Sequence, residues 1–185
     1  MNQATRQRGF TLIEILVAVV VLVVGVLGVV VLEVTSKRGT FDALQRSTAT
    51  SLAEDILERM RANPNAVRTN SYNLVLGEGL IAPPAVDCVG INASCSAAQL
   101  AAFDLYQFEQ RVLGTEADTD GAAVGGLIEP TVCVDHAQGA VTVVVVWRGQ
   151  VALADPADGA EAFVADCGAR SEVRRQFVVH SFIDN

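Results

Sequence analysis

From Ile15 to Leu32 the chain is an unbroken apolar run of 18 residues, with no charged side chain before Glu33. As a helix this run covers roughly 27 Å, close to the ~30 Å hydrocarbon core of a bilayer. Valine dominates it, and β-branched side chains lose freedom in a helix. In hydrocarbon, however, the backbone must bond internally, so the helix is imposed. Gly25 and Gly28 permit close helix packing, and no proline interrupts the run. Further along the pattern changes. Phe41, Leu44, Leu52, Ile56 and Met60, with Thr48 in the gap, recur every three or four residues and predict one face of an amphipathic helix. Arg46, Glu54, Glu58, Arg59 and Arg61 fall on its other sides, and Asn63-Pro64 ends it. Continuous from Phe10 to Ala62, this would be a helix of about 53 residues, roughly 80 Å long.

Beyond Pro64 the punctuation is denser. Gly77, Gly79, Pro83-Pro84 and Gly90 mark a loop, and Ser96 to Val112 predicts a short helix with Leu100, Phe103, Phe108 and Val112 on or near one face. A Gly-rich connection follows from Gly114 to Gly126. Ile128–Asp135, Ala140–Arg148 and Val173–Phe182 then predict three strands, with Gln138-Gly139 as the turn between the first two. The expected fold is α+β, a small antiparallel sheet packed on the long helix. Four segments result: a polar stretch over 1–9, an apolar helix over 10–32, an amphipathic half over 33–63 and a globular head over 64–185.

At 185 residues the chain has room for one head and not for two full cores. A net charge of −8, with Lys37 as the only lysine, excludes nucleic-acid binding. Cys88, Cys95, Cys133 and Cys167 all follow the apolar run, and an even number in a small domain past a membrane segment points to disulfides in an oxidising compartment. The competing reading is buried thiols in a cytosolic domain. Flanking charge does not separate the two, because Arg6 and Arg8 before the span are offset by Lys37 and Arg38 after it. Cys88 and Cys95 bracket a short loop and could close it. Cys133 and Cys167 could staple the last strand to the sheet, although four cysteines allow three pairings.

Catalytic candidates are sparse. His136, His180 and Ser181 sit near strand ends without a nucleophile elbow or a His-Glu-x-x-His pair, so no enzyme is expected, and no cofactor. Cys133-x-x-His136 lacks a second pair at zinc-ligand spacing. Glu116-x-Asp118-x-Asp120-Gly121 imitates half of a calcium loop, but its twelfth position is Leu127, so a solvated acidic turn is expected and no metal site.

No small-residue cleavage site follows Leu32, as a secretory signal would require. Instead Gly9-Phe10-Thr11-Leu12-Ile13-Glu14 resembles the prepilin motif of type IV pilins and type II secretion pseudopilins. The resemblance implies cleavage of a 1–9 leader between Gly9 and Phe10 by a prepilin peptidase, and N-methylation of Phe10. It also implies that Glu14 is an assembly contact, meeting the terminal amine of a neighbouring subunit. Four residues after Phe10, Glu14 would lie about one helical turn away on the same face. Arg46 to Asn63, and Val24-Gly25-Val26-Leu27-Gly28, are similar to the PilV family of minor pilins. This implies a minor pilin in the initiating or tip complex of a type IV pilus, acting in twitching motility and adhesion. Its partners would be other minor pilins, the major pilin, the peptidase, the inner-membrane assembly machinery and, before assembly, membrane lipid. It would sit in the inner membrane with a periplasmic head and then in the surface pilus. A type II secretion pseudopilin and a single-span periplasmic binding domain are the alternatives.

Overall fold

A computed structural model of the chain describes residues 9–77, 81–90, 93–115 and 125–183. The chain forms two compact units, one up to Phe41 and one from Asp42 onward. Helix α1, Leu12–Ala62, supplies all the regular structure among the described residues of the first unit and opens the second. It starts two residues later than Phe10 because Thr11 caps it: the Glu14 and Ile15 amides both donate to the Thr11 carbonyl, at 3.1 and 3.3 Å.

In the first unit every helical residue from 12 to 40 is exposed, valines and leucines included. The helix runs through Gly25 and Gly28 without a break. Where the apolar run ends, Lys37 and Glu33 pair across one turn at 2.8 Å.

The second unit is built on the remainder of α1, followed by α2 (Pro64–Arg68), β1 (Leu74–Leu76), α3 (Ala97–Leu113), β2 (Thr131–Ala137), β3 (Ala140–Arg148), α4 (Ala162–Asp166) and β4 (Arg174–Phe182). Pro64 does end α1, yet it also opens α2, since a first-turn proline loses no hydrogen bond. Strands β1 to β4 pair antiparallel in sequence order. The buried stripe of α1 is Gln45, Ala49, Leu52, Ala53, Ile56, Leu57 and Met60. It begins at Gln45 and not at the expected Phe41 and Leu44; Leu44 is 61% exposed. Gln45 replaces an apolar anchor by donating to the Gly126 carbonyl and accepting from the Ile128 amide, at 3.2 and 3.1 Å.

Helix α3 is capped as its sequence requires. The Ser96 hydroxyl accepts from the Gln99 amide, the Gln99 side chain accepts from the Ser96 amide, and Gly114 closes the far end in the left-handed region. Its buried face is Ala101, Asp104, Leu105, Phe108, Glu109 and Val112, so Leu100 and Phe103 flank the core and two carboxylates enter it. One Glu109 oxygen accepts from the Ile81 amide, 2.6 Å away, and the other is buried without a partner among the described residues.

Strand β2 starts at Thr131 and not at Ile128, because Glu129 has a positive φ of 46° and Pro130 has no amide to give the ladder. Strand β3 is buried without interruption from Val143 to Trp147. On one face Val141, Val143, Val145 and Trp147 join the core with α1 and α3; on the other, Val144 and Val146 join Cys133, Val164 and Cys167. Both faces are covered, so the valines do not alternate with polar residues. The cover on the second face is the β3–β4 connection with α4. The Cys133–Cys167 disulfide fastens this connection, and not β4 itself, to the sheet; a second disulfide joins Cys88 and Cys95.

Arg174, 2% exposed, holds the same segment by donating to the Val164, Ala165 and Cys167 carbonyls. Burial lowers its pKa. Asp155 accepts from the Ala157 and Ser171 amides at 2.9 and 2.8 Å and lies 3.7 Å from Arg174. The backbone bonds, chiefly that from Ala157, hold its carboxyl below its ordinary value. A carboxyl lowered in this way stabilises the fold above its unfolded pKa of about 4, and that contribution disappears as the pH falls through the folded value. Asp155→Asn is therefore expected to lower the melting temperature at pH 7, with the gap to wild type closing as the pH drops below 4. Thermal melts at a series of pH values check this.

The β2–β3 turn, Gln138-Gly139, has φ of 54° and 88°, as a two-residue hairpin requires. A Cβ on Gly139 would also sit 2.7 Å from the Phe182 ring. Gly139→Ala is expected to destabilise the head by about 1–2 kcal/mol, read as a shift in denaturation midpoint.

Candidate functional site

The chemistry of the N-terminal motif rests on a few atoms. Gly9 is exposed, has no positive φ, and a Cβ there would meet nothing within 4 Å. The fold of the described residues therefore places no demand for glycine at this position. Phe10 is 79% exposed and precedes the first helical residue, so the stacking of Phe10 and Glu14 on one helical face, expected from their spacing, does not occur. The reason is the cap at Thr11, whose hydroxyl also lies 3.4 Å from the Glu14 amide. Thr11 and Glu14 have capping-box spacing, and a carboxylate in the first turn interacts favourably with the helix dipole by about 0.3–1 kcal/mol.

Glu14 is the only ionisable residue between Phe10 and Glu33. Its carboxylate is exposed and makes no ion pair among the described residues. An acidic group carried deep into lipid costs about 3 kcal/mol on insertion scales. Glu14 thus imposes a local demand for a positive or donating partner on an otherwise apolar surface. That surface belongs to a helix long and apolar enough to cross a membrane. Residues 1–8 of the expected leader lie outside the described residues.

The remaining sequence candidates do not converge. His136 is 8% exposed and structural: its Nε2 accepts from the Gly139 amide at 3.2 Å, which leaves Nδ1 to donate to Asn70 Oδ1 at the same distance. His180 is exposed and pairs through Nδ1 with the Thr142 hydroxyl, and Ser181 accepts from Arg61 at 2.9 Å. In the sheet His136 and Ser181 flank Val141 from opposite sides, too far apart to act together. Cys133 is bound to Cys167, and an odd separation of three along β2 turns its side chain to the opposite face from His136, so the two cannot share a zinc ion. No cluster of three or more metal-ligating residues occurs among the described residues. Residues 116–121 of the half calcium loop lie outside them.

One polar constellation escaped the sequence reading. Arg59, expected on the solvent side of α1, bonds Asp104 at 3.0 Å, Asp55 at 3.1 Å and Gln107 at 3.2 Å. Tyr72, fully buried, donates to the other Asp104 oxygen at 2.6 Å, and Asn63 donates to the Tyr72 hydroxyl and the Ala97 carbonyl. Burial, and then the Asp104 carboxylate, push the Tyr72 phenol well above its usual value. This network clamps α3 and the chain after α2 onto the end of α1. The available signal was Asp104 on the apolar face of α3, an acid that needs a partner once buried.

Residues 4–30 match the family of the prokaryotic N-terminal methylation motif, and residues 31–106 match the family described as type IV pilin Tt1218. No curated protein and no solved structure matches the chain. The second match takes in the Arg59, Tyr72 and Asp104 clamp and ends inside α3, before strands β2 to β4. An N-terminal methylation motif on an apolar helix, continued by a type IV pilin domain on an α+β head, supports the type IV pilin superfamily, a structural and non-enzymatic one, as the family of this chain.

Proposed function

We propose that the chain is a minor pilin of a type IV pilus. A prepilin peptidase cuts it between Gly9 and Phe10, Phe10 is N-methylated, and the apolar helix anchors it in the inner membrane before entering the filament core. The observation that carries this reading is the exposed apolar helix of the first unit, marked in its first turn by the Glu14 carboxylate and preceded by a glycine that the fold of the described residues does not require. An apolar surface of this extent needs lipid or other subunits. Glu14 then meets the amine of a neighbour's Phe10, a pair with good reason to form where lipid leaves both charges unmatched. The terminal amine of Phe10 precedes the first amide that an α-helix bonds, so it is free of the helical ladder and can turn toward another subunit. The two disulfides suit a head on the periplasmic side. The stretch Arg46 to Asn63 and the glycines at 25 and 28 favour the PilV family within the minor pilins, with a place in the initiating or tip complex and a role in twitching motility and adhesion.

A second reading, a type II secretion pseudopilin, is favoured by the same motif, which both systems use. Deleting the gene separates them: loss of twitching with normal exoprotein secretion fits the minor pilin, and the reverse fits the pseudopilin. Mass spectrometry of the mature protein is expected to find a methylated Phe10 as the first residue. An intact Met1 terminus would leave a plain single-span periplasmic domain. Glu14→Ala should leave cleavage unchanged and lower incorporation into fibres by about tenfold, the equivalent of about 1.4 kcal/mol per subunit. Immunoblots of sheared fibres and of membranes measure both, and unchanged incorporation would refute the pairing.

A further inference from the structure

The two edges of the sheet are unlike. Strand β1 is three residues long, short enough to be a poor template for another chain. Strand β4 is nine residues long and runs in unbroken one-to-one register with β3 from Arg148↔Arg174 to Ala140↔Phe182. Its two arginines, Arg174 and Arg175, are confined to its first two positions, and residues 176–182 contain no proline, lysine, glycine or bulge to blunt the open edge.

The direction of its backbone groups follows from the hairpin. Ala137 and Ala140 flank a two-residue turn and are a hydrogen-bonded pair, so the even-numbered residues of β3 bond β2 and the odd-numbered ones bond β4. Bonds just beyond the strands agree: the Arg148 amide reaches Ile128, the Gly149 amide reaches Val173, and the Ile183 amide reaches the Gly139 carbonyl. On β4, residues 177, 179 and 181 therefore face β3, and Gln176, Val178 and His180 direct their amides and carbonyls to the open edge.

Beside that edge lies a groove of about 400 Å³ lined by Glu54, Leu57, Glu58 and Arg61 of α1 and Val179, His180 and Ser181 of β4. Arg61 is taken up by Glu58 and Ser181. Glu54 is exposed and has no basic partner among the described residues. Two carboxylates against one guanidinium leave the groove negative.

We propose that the open edge of β4 is a strand-addition site for an extended, basic segment of a partner protein, which would pair with the backbone of Gln176, Val178 and His180 and place a Lys or Arg side chain against Glu54 and Glu58. Backbone bonds would give affinity, and the helix carboxylates would set the charge preference. This inference does not depend on the pilus reading.

The test uses the full chain in detergent micelles and a synthetic nine-residue peptide of alternating valine and lysine, as long as β4. Fluorescence anisotropy measures binding. His180→Pro removes an amide that points away from β3, so the existing ladder is kept, whereas His180→Ala keeps the amide and is the control. The expected result is binding to wild type and His180→Ala, at least about tenfold weaker binding to His180→Pro, and a loss of about threefold or more on Glu54→Gln. On the wild-type chain, a peptide N-methylated along one edge should not bind, a readout that needs no protein variant. Equal binding of the N-methylated peptide, or no binding by either peptide, would overturn the proposal. A dimer of the chain that His180→Pro dissolves would make the occupant a second copy, and would overturn the basic-partner assignment.

Discussion

The head is organised by the contact between one stripe of α1 and one face of the sheet. Ala49 and Ala53 have no exposed surface, and with Leu52, Ile56, Leu57 and Met60 they share one buried cluster with the odd-numbered valines of β3. The same contact supports α3, whose apolar face closes over the same core through Leu105, Phe108 and Val112. The polar parts respect the same geometry. Arg59 near the end of α1 and Asn63 just beyond it add to the apolar packing a hydrogen-bonded clamp on Asp104 and Tyr72. Each buried polar group there has a partner, which is the condition for such a network to specify a fold instead of weakening it.

The same helix meets a different constraint before Phe41. Its residues 15–32 are as apolar as those of the core, yet no described part of their own unit covers them. An apolar surface of that size is stable only in lipid or against other chains, so this half of α1 is defined by its surroundings and the other half by its own head. Thr11 and Glu14 mark where the helix begins. The hydroxyl and carboxylate that stabilise its first turn are also the polar features that set this end apart from the valines behind it.

The second face of the sheet shows how a short connection gains a structural role. α4 has only five residues and would be marginal alone. It is held by the Cys133–Cys167 disulfide, by the Arg174 guanidinium on its last carbonyls and by Asp155 on two loop amides. A disulfide closing a loop of 34 residues stabilises by roughly 3–4 kcal/mol in the chain-entropy picture. With that cover in place, Val144 and Val146 are buried and β3 becomes the central, two-sided strand of the head.

Period and punctuation made much of this legible in the sequence. The apolar run, the length of α3, the span of β3 and the Gln138-Gly139 turn are local: each follows from residues within a few positions of one another. What the sequence did not disclose depends on residues far apart. β1 is too short to carry a period and exists because β2 is there to pair with it. Leu44 is exposed and Gln45 buried because residues 126–128 cross α1 where they do, not because of any pattern along the helix. His136 and Arg59 resembled surface groups until Gly139, Asn70, Asp104 and Gln107 were brought to them. The sequence by itself determined the membrane-type helix, its motif and the α+β order of elements, since these are written in local hydrophobicity and turn chemistry. Only the tertiary structure decided which polar side chains are buried and which sheet edge stays open, because burial and strand pairing are properties of chain segments that meet across long separations.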